Sequence, residues 1–340
     1  MVVPTLVADS TLEDCLCSLM AQTVGDFEIV VVDNSGQNLA ARIPLIREHA
    51  TIIENSANVG FGAAINQAFR QTRAPFLATL NDDAMAGPRW LESLLTATEQ
   101  RPEIGMCASQ VLLSNGEVPE PSARPDPTNL LDSAGMLICR DGSSKQRGHR
   151  QPVAGYMRGS EVLCPSGSAA LYRRAMLEEV GLFDESFFLY CEDTDLGLRA
   201  RWAAWECRYV PEAIVHHRYS HSAGTASPLK AYYVERNRLF LVAKTFPVSF
   251  AIQSVFFAAS RYFWHLACLK KGKGKASDFR LEGHNLLELP LFVLRAHIAA
   301  FGALPRLLRQ RRRIHRRLAP KQFCRMLNSY SISPHEVAAL

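Results

Sequence analysis

The 340-residue chain lacks a C-x-x-C pair: among its nine cysteines the nearest two, Cys15 and Cys17, are separated by a single residue. That excludes a zinc ribbon and a thioredoxin-like redox motif. Most of these cysteines stand in apolar runs, where they behave as small hydrophobes. The N-terminus, MVVPTLVADS, lacks a basic segment followed by a long apolar stretch, which argues against a secretory signal. Both absences fit a reducing cytoplasm. No uninterrupted apolar run reaches the roughly 18 residues of a spanning helix. The nearest approach, 246–275, is broken by Gln253, Arg261 and His265 and suits the surface of a bilayer better than its interior. Core material is not scarce: 48% hydrophobic residues, 21% charged and a net charge of +5 describe a folded chain with room for one large unit and an appendage.

From Val2 to about Leu113 short β-branched runs alternate with helical patterns, the signature of a parallel sheet wound with helices. VVPTLV reads as a first strand, FEIVVVDN as a second, TIIEN as a third and PFLATLNDD as a fourth. Between the first two, Ser10 and Glu13 stand at capping-box spacing, with Leu12, Leu16, Leu19 and Met20 on one helix face. Ligands of such sheets gather at the carboxyl ends of the strands, so Asp33, Asp82 and Asp83 converge on one rim. Residues 114–160 are rich in Pro, Gly and Ser and predict loops with a β-hairpin, the acceptor side of a cleft. Ordered elements return from Cys164 to Tyr209. Beyond about 226 the pattern is helical and basic.

Four stretches could carry chemistry. In LNDDA (80–84), two carboxylates and an amide follow a buried strand, which suits a divalent cation completed by phosphate oxygens and water; a turn bonded to its own backbone is the alternative. Gly60 and Gly62 lie between a strand and a helix, without the third glycine of a dinucleotide fingerprint and without GK[ST]. In FLYCEDTDLGLRARW (188–202), Glu192 and Asp193 start a helix whose dipole favours negative charge, and Asp195 can pair with Arg199 one turn on. Capping does not explain the aromatic lead-in FDESFFLY. A carboxylate against apolar side chains gains proton affinity, which suits a general base acting on a hydroxyl. Finally, PEAIVHHRYSH offers His216, His217 and His221 at a strand end; one of them as an extra ligand to a cation at Asp83 competes with a structural histidine.

In their order, VVPT, FEIVVVDN, NVGFGAAIN, LNDDA, SGSAALYRR, EVGLFDESFFLYCEDTDLGLR, YVPEAIVHH and YYVERNR resemble the family 2 glycosyltransferases, in the branch that includes bacterial rhamnosyltransferases. The resemblance runs from about residue 2 to 245, and the EDxDL segment is its most specific part. It implies a GT-A fold, that is, a Rossmann-like α/β nucleotide-binding sheet with helices on both faces, and an inverting transfer from a nucleotide-diphosphate sugar. By motif, Thr5 and Asp33 would hold the base, and Asn58 and Gly60 would lie along the nucleotide. Asn81 and Asp83 would be the outer positions of the metal motif, with Asp82 beside the sugar or ribose. Asp83 would bind Mg²⁺ or Mn²⁺, joined by His217. Asp193 would be the base, with Glu192 beside it at the substrate, and Arg236, paired with Asn237, would contact phosphate or acceptor. Two departures stand out: Val7 replaces a frequent Asn after PT, and Asn81 an aspartate common in other branches.

The expected organisation is a catalytic domain over 1–225, with a nucleotide-sugar half at 1–113 and an acceptor half at 114–225, and a helical, basic, amphipathic region over 226–340. A processive polysaccharide synthase is set aside because Leu198 takes the glutamine position of Q-x-x-R-W before Arg201-Trp202. A nucleotidyltransferase would carry a glycine-rich basic loop where TLVADSTLED is acidic. The run RLLRQRRRIHRR raises a third class, a non-catalytic protein binding nucleic acid. Its neighbours Phe246, Phe250, Phe256, Phe257, Tyr262 and Trp264 favour an anionic membrane surface instead. The expected partners are therefore a nucleotide-diphosphate sugar, a glycan or lipid-linked saccharide acceptor and the inner face of the cell membrane, and not nucleic acid.

Overall fold

The computed structural model describes residues 1–114, 126–218 and 227–340. The N-terminal half follows the alternation read from the sequence. Strand β1 (Val2–Thr5) leads to α1 (Ser10–Met20), β2 (Val30–Asp33), α2 (Pro44–His49), β3 (Thr51–Glu54), α3 (Phe61–Gln71) and β4 (Phe76–Leu80). All four residues of β2 are buried, because a strand covered on both faces needs no polar side. One capping expectation is corrected: Asp9, not Ser10, caps α1, its Oδ1 accepting from the amides of Thr11 at 3.0 Å and Leu12 at 3.5 Å. Leu12, Leu16 and Leu19 are buried as the helical period requires, whereas Met20 turns outward.

The chain continues through β5 (Ala84–Ala86), α4 (Trp90–Glu99), β6 (Ile104–Leu113), β7 (Leu131–Ser133), β8 (Met136–Ile138), β9 (Ser144–Gln146), β10 (Ser160–Val162), β11 (Ala169–Arg173), α5 (Arg174–Val180), α6 (Glu192–Trp202) and β12 (Glu206–His217). The sheet order is β10-β12-β6-β11-β4-β1-β2-β3, with β5 on β12 and β7 on β6. The first four strands are parallel, β11 runs antiparallel between β4 and β6, and β12 is parallel to β6. The sheet is therefore mixed rather than parallel throughout. The hairpin expected in the glycine-rich stretch is β8-β9.

Helices α7 (Pro228–Thr245), α8 (Val248–Lys270), α9 (Lys275–Leu281), α10 (Leu289–Arg313), α11 (Pro320–Ser329) and α12 (Pro334–Ala339) complete the chain. They share its core. The Trp202 indole stacks on Phe323 with centroids 3.8 Å apart and donates to the carbonyl of Thr245 at 2.8 Å. Such a ring pair contributes about 0.5–1.5 kcal/mol beyond its buried area. A buried ionic cluster ties α7 and α8 to the turn after β8: Arg261 donates to Asp141 at 2.5 Å and to Glu235 at 2.8 Å, and Arg238 also pairs with Glu235. The sequence pointed to 246–275 as the most membrane-like stretch. Among the described residues one helical stretch, Leu286–Arg313, is long and apolar enough to cross a bilayer by length and composition, and little of it is buried.

Candidate active site

A cavity of about 1410 Å³ opens at the carboxyl ends of β1 and β4. Thr5, Asn58, Gly60, Asn81, Asp82, Asp83, Glu192, Asp193 and His217 all line it. Two of the anticipated residues do not. The Asp33 carboxylate accepts from the amides of Ser35 and Ala40, both at 2.8 Å, so it shapes the loop after β2 while its neighbour Asn34 faces the cavity. The Arg236 guanidinium donates to the carbonyls of Ser186 at 2.9 Å and Phe187 at 2.7 Å. It braces the backbone and does not reach the cavity wall.

At the ends of β1 and β4, the Thr5 hydroxyl lies 2.7 Å from Asp82 Oδ2. Burial pushes Asp82 up to about 6, with Asp83 adding to the rise and the Thr5 bond opposing it. Asp83 Oδ1 lies 3.0 Å from His217 Nε2, which the end of β12 delivers. Asn81 Nδ2 lies 3.4 Å from the same nitrogen. Behind the imidazole, Asp132 Oδ2 lies 2.8 Å from Nδ1. Burial disfavours charge on His217, but its bonds to Asp132 and Asp83 outweigh that and raise it to about 10. Asp132 is itself held down at about 2: burial opposes ionisation, and His149 and His217 overcome it. The sequence reading missed both Asp132 and His149. The one available signal was an acid set directly after Leu130-Leu131. His221 lies outside the described residues.

Opposite stands the start of α6. Asp193 Oδ2 accepts from the Gly167 amide at 3.0 Å, and Oδ1 from the Thr194 amide at 2.5 Å. Burial raises Asp193 above the ordinary carboxylate range, against the pull of these amides. Burial, and next the charge of Asp193, push Glu192 up to about 8, so it is protonated at neutral pH. The repulsion between adjacent acids is thus relieved by neutralising one of them. Asp195 is spent on structure, paired with Arg199 at 2.8 Å and with Lys244.

The lead-in to Asp193 is a strained turn. Phe188, Tyr190 and Cys191 all have positive φ, at 63°, 69° and 67°, a conformation that non-glycine residues adopt at a cost of order 1–3 kcal/mol each. The buried Asn237 amide holds it by donating to the carbonyls of Phe187, Leu189 and Tyr190 at 2.9, 2.8 and 2.7 Å. Gly60, with φ of +88°, packs against the same turn: a Cβ there would stand 2.4 Å from the Phe188 carbonyl oxygen. The aromatic segment therefore serves to place the acids, and α7 serves to fix the segment.

The arrangement offers an acid and an imidazole for a cation, a second acid beside them, and a carboxylate of raised proton affinity across the same cavity. Among the described residues no cluster of three or more His, Cys, Asp or Glu forms a ready-made metal cage. Asp83 and His217 with Asp132 behind the ring still fit a hard cation whose remaining ligands are diphosphate oxygens.

Comparison with known proteins agrees with this geometry. GalNAc-T7, solved with UDP, GalNAc and Mn²⁺, superposes with a TM-score of 0.56 at 14% identity, over 87% of this chain and 54% of that one. S. aureus TarS 1-349 in complex with UDP-GlcNAc gives 0.52 at 16% identity, over 90% and 81%. These likenesses establish the GT-A fold. The O-antigen biosynthesis protein RfbC of Myxococcus xanthus is 25% identical over 241 residues, 68% of this chain and 18% of that protein. The N-acetylglucosaminyl-diphospho-decaprenol L-rhamnosyltransferase of Mycobacterium tuberculosis is 31% identical over 251 residues, 65% of this chain and 77% of the relative. The model of the family group 2 glycosyl transferases matches residues 151–304, and that of Glycosyl transferase family 2 matches residues 1–181. With more than half its length matched, the chain belongs to glycosyl transferase family 2.

Proposed function

We propose that the protein moves a sugar, rhamnose or a relative of it, from a nucleotide diphosphate to a hydroxyl of a glycan or lipid-linked saccharide, inverting the anomeric carbon. The observation that carries this reading is that Asp193 and the Asp83–His217 pair line one cavity from opposite elements. The relative's name, which specifies an N-acetylglucosaminyl-diphospho-decaprenol acceptor and a rhamnosyl group, supports the substrate classes.

Asp193 takes the proton of the acceptor hydroxyl as that oxygen attacks the anomeric carbon from the face opposite the diphosphate. The Gly167 and Thr194 amides hold its two oxygens in place for that transfer. Glu192, pushed toward its neutral form, leaves Asp193 as the charged acid of this helix start that faces the cavity, Asp195 being taken up by Arg199 and Lys244. Asp82, beside Thr5, would meet the ribose or the sugar, and Asn58 and Gly60 the nucleotide. Asp83 and His217 would hold Mg²⁺ or Mn²⁺, which when bound neutralises charge growing on the departing diphosphate. For His217 to serve as a ligand its Nε2 must give up a proton, and the Asp132 contact at Nδ1 fixes which nitrogen is free to do so.

Helices α8 and α10 expose Ile252, Val255 and Phe256, and Ile298 and Phe301, beside an arginine-rich last turn of α10. This surface suits an anionic bilayer at the inner face of the membrane, where a lipid-linked acceptor resides. Binding of the protein to anionic liposomes, lost at high salt, is the expected behaviour; binding insensitive to salt would contradict the electrostatic part.

The test of the reaction is a panel of nucleotide sugars assayed for release of nucleoside diphosphate dependent on a divalent cation. Release of pyrophosphate instead would assign a nucleotidyltransferase.

A further inference from the structure

The cavity extends well beyond the acids. Lys145 enters it from β9, Lys230 from α7 and Lys275 from α9, three elements far apart in the chain. The C-terminal helices also give the cavity an apolar wall, with Leu266 from α8, Phe279 from α9, and Leu289, Phe292 and Val293 from α10. Lys230 also locates the cluster relative to the chemistry. Its Nζ lies 5.5 Å from the centroid of the Tyr190 ring, and Tyr190 is three residues before Asp193.

Gathering ammonium groups in one recess is unfavourable unless an anion joins them. Lys275 Nζ is buried and makes no hydrogen bond among the described residues, with Asp278 3.5 Å away. Burial, followed by the charges of Lys275 and Lys230, holds Lys145 down at about 7. Asp278 acts on Lys145, and Asp132 and Glu282 on Lys230, but for both lysines burial and neighbouring cations outweigh these carboxylates, so an entering anion would still be favoured. The donor diphosphate is already provided for on the other side, at Asp83 and His217.

We propose that Lys145, Lys230 and Lys275 bind the diphosphate of the acceptor, and that the apolar recess of the same cavity takes the first units of an attached isoprenoid chain. This rests on the reading of the site as one that glycosylates a lipid-linked saccharide, and it adds the place where the link between sugar and lipid is held. Helix α10 lines the recess with Phe292 and Val293 and carries exposed Leu291, Leu294 and Ile298. One helix therefore connects the recess with the outer apolar surface, a path for a tail whose remainder stays in the bilayer.

The experiment is an equilibrium titration of the full chain with farnesyl diphosphate, with inorganic pyrophosphate and farnesol as the tail-less and headless controls. Farnesyl diphosphate should bind at least about ten-fold more tightly than either control, since head and tail sites reinforce one another. Lys145→Gln, Lys230→Gln and Lys275→Gln should each weaken it by about ten-fold, the change that loss of one charge-assisted contact brings, and Lys230→Arg should retain most of the affinity. Binding unchanged in all three glutamine variants would overturn the proposal. So would pyrophosphate binding as tightly as farnesyl diphosphate, which leaves an anion site without a lipid, or displacement of the probe by UDP or dTDP, which places it in the donor site. Because binding is read without turnover, this result is independent of whether Asp193 is the base.

Discussion

The Gly167 amide donates to Asp193 Oδ2 at 3.0 Å, while the carbonyl of the next residue, Ser168, accepts from the Asn81 amide at 2.9 Å. Two adjacent residues thus join Asp193 on α6 to the strand end that carries Asp82 and Asp83. The Thr79 hydroxyl, donating to the Gly167 carbonyl at 2.9 Å, fixes the link from below. Relative placement of the two halves of the site depends on this short segment rather than on long side chains.

Gly60→Ala tests the contact between the loop before α3 and the strained turn. A Cβ at φ of +88°, 2.4 Å from the Phe188 oxygen, cannot be accommodated without moving the segment that leads to Asp193. Backbone strain of this kind costs about 1–3 kcal/mol. A lower melting temperature together with a fall in kcat is expected, and an alanine variant with unchanged kcat would contradict the coupling.

Asn237→Ala removes three hydrogen bonds to buried carbonyls. The Phe187 carbonyl keeps its bond from Arg236, but leaving those of Leu189 and Tyr190 unpaired costs about 1–3 kcal/mol each, part of which relaxation of the turn recovers. Chemical denaturation should show a loss of several kcal/mol, and activity should fall more than in Arg236→Lys, whose target carbonyls a lysine can still reach in part. Equal effects of the two variants would show that the turn is not pinned chiefly by Asn237.

Asp132→Asn leaves His217 without the carboxylate that sets its tautomer. Loss of such a supporting contact typically weakens metal binding by about 10- to 100-fold. The concentration of Mn²⁺ needed for half-maximal activity should rise accordingly, with kcat at saturating metal reduced less. An unchanged requirement would remove His217 from the proposed metal site.

Much of the N-terminal half was legible in the sequence, because continuous apolar runs ending in acids announce buried parallel strands and the rim where their acids gather. The placement of Asp193 on the cavity wall was legible for a related reason: an acidic helix start after an aromatic run conflicts with simple capping. Asp132 and Lys145 were not legible. Each lies in a glycine- and serine-rich stretch without periodicity, and each acquires meaning only from partners distant in sequence, His217 for Asp132 and Lys230 and Lys275 for Lys145. Arg236 and Asp33 were anticipated at the site but do not line the cavity. A charged side chain near a motif invites a ligand role, yet backbone groups claimed both.

Acid should loosen the packing of α7 and α8. Burial favours the neutral form of Glu235, but Arg261 and Arg238 hold it at about 2, against an ordinary value of 4.5. A carboxylate depressed in this way contributes stability that is complete above the unfolded-state value and is lost as pH falls through the folded one, here from about 4.5 to about 2. The shift corresponds to roughly 3 kcal/mol at most. Glu235→Gln should be less stable at pH 7 and should show a flatter dependence of melting temperature on pH across that window. A slope equal to that of the unmodified protein would contradict the assignment.

The most direct measurement is sugar transfer by Asp193→Asn under single-turnover conditions, with donor affinity determined in parallel. General-base catalysis contributes about 10²- to 10⁴-fold, so the rate of transfer should fall by that order while donor binding stays close to that of the unmodified protein. Transfer at the original rate would show that the aspartate held by Gly167 is not where the acceptor proton goes, and the catalytic account would fail.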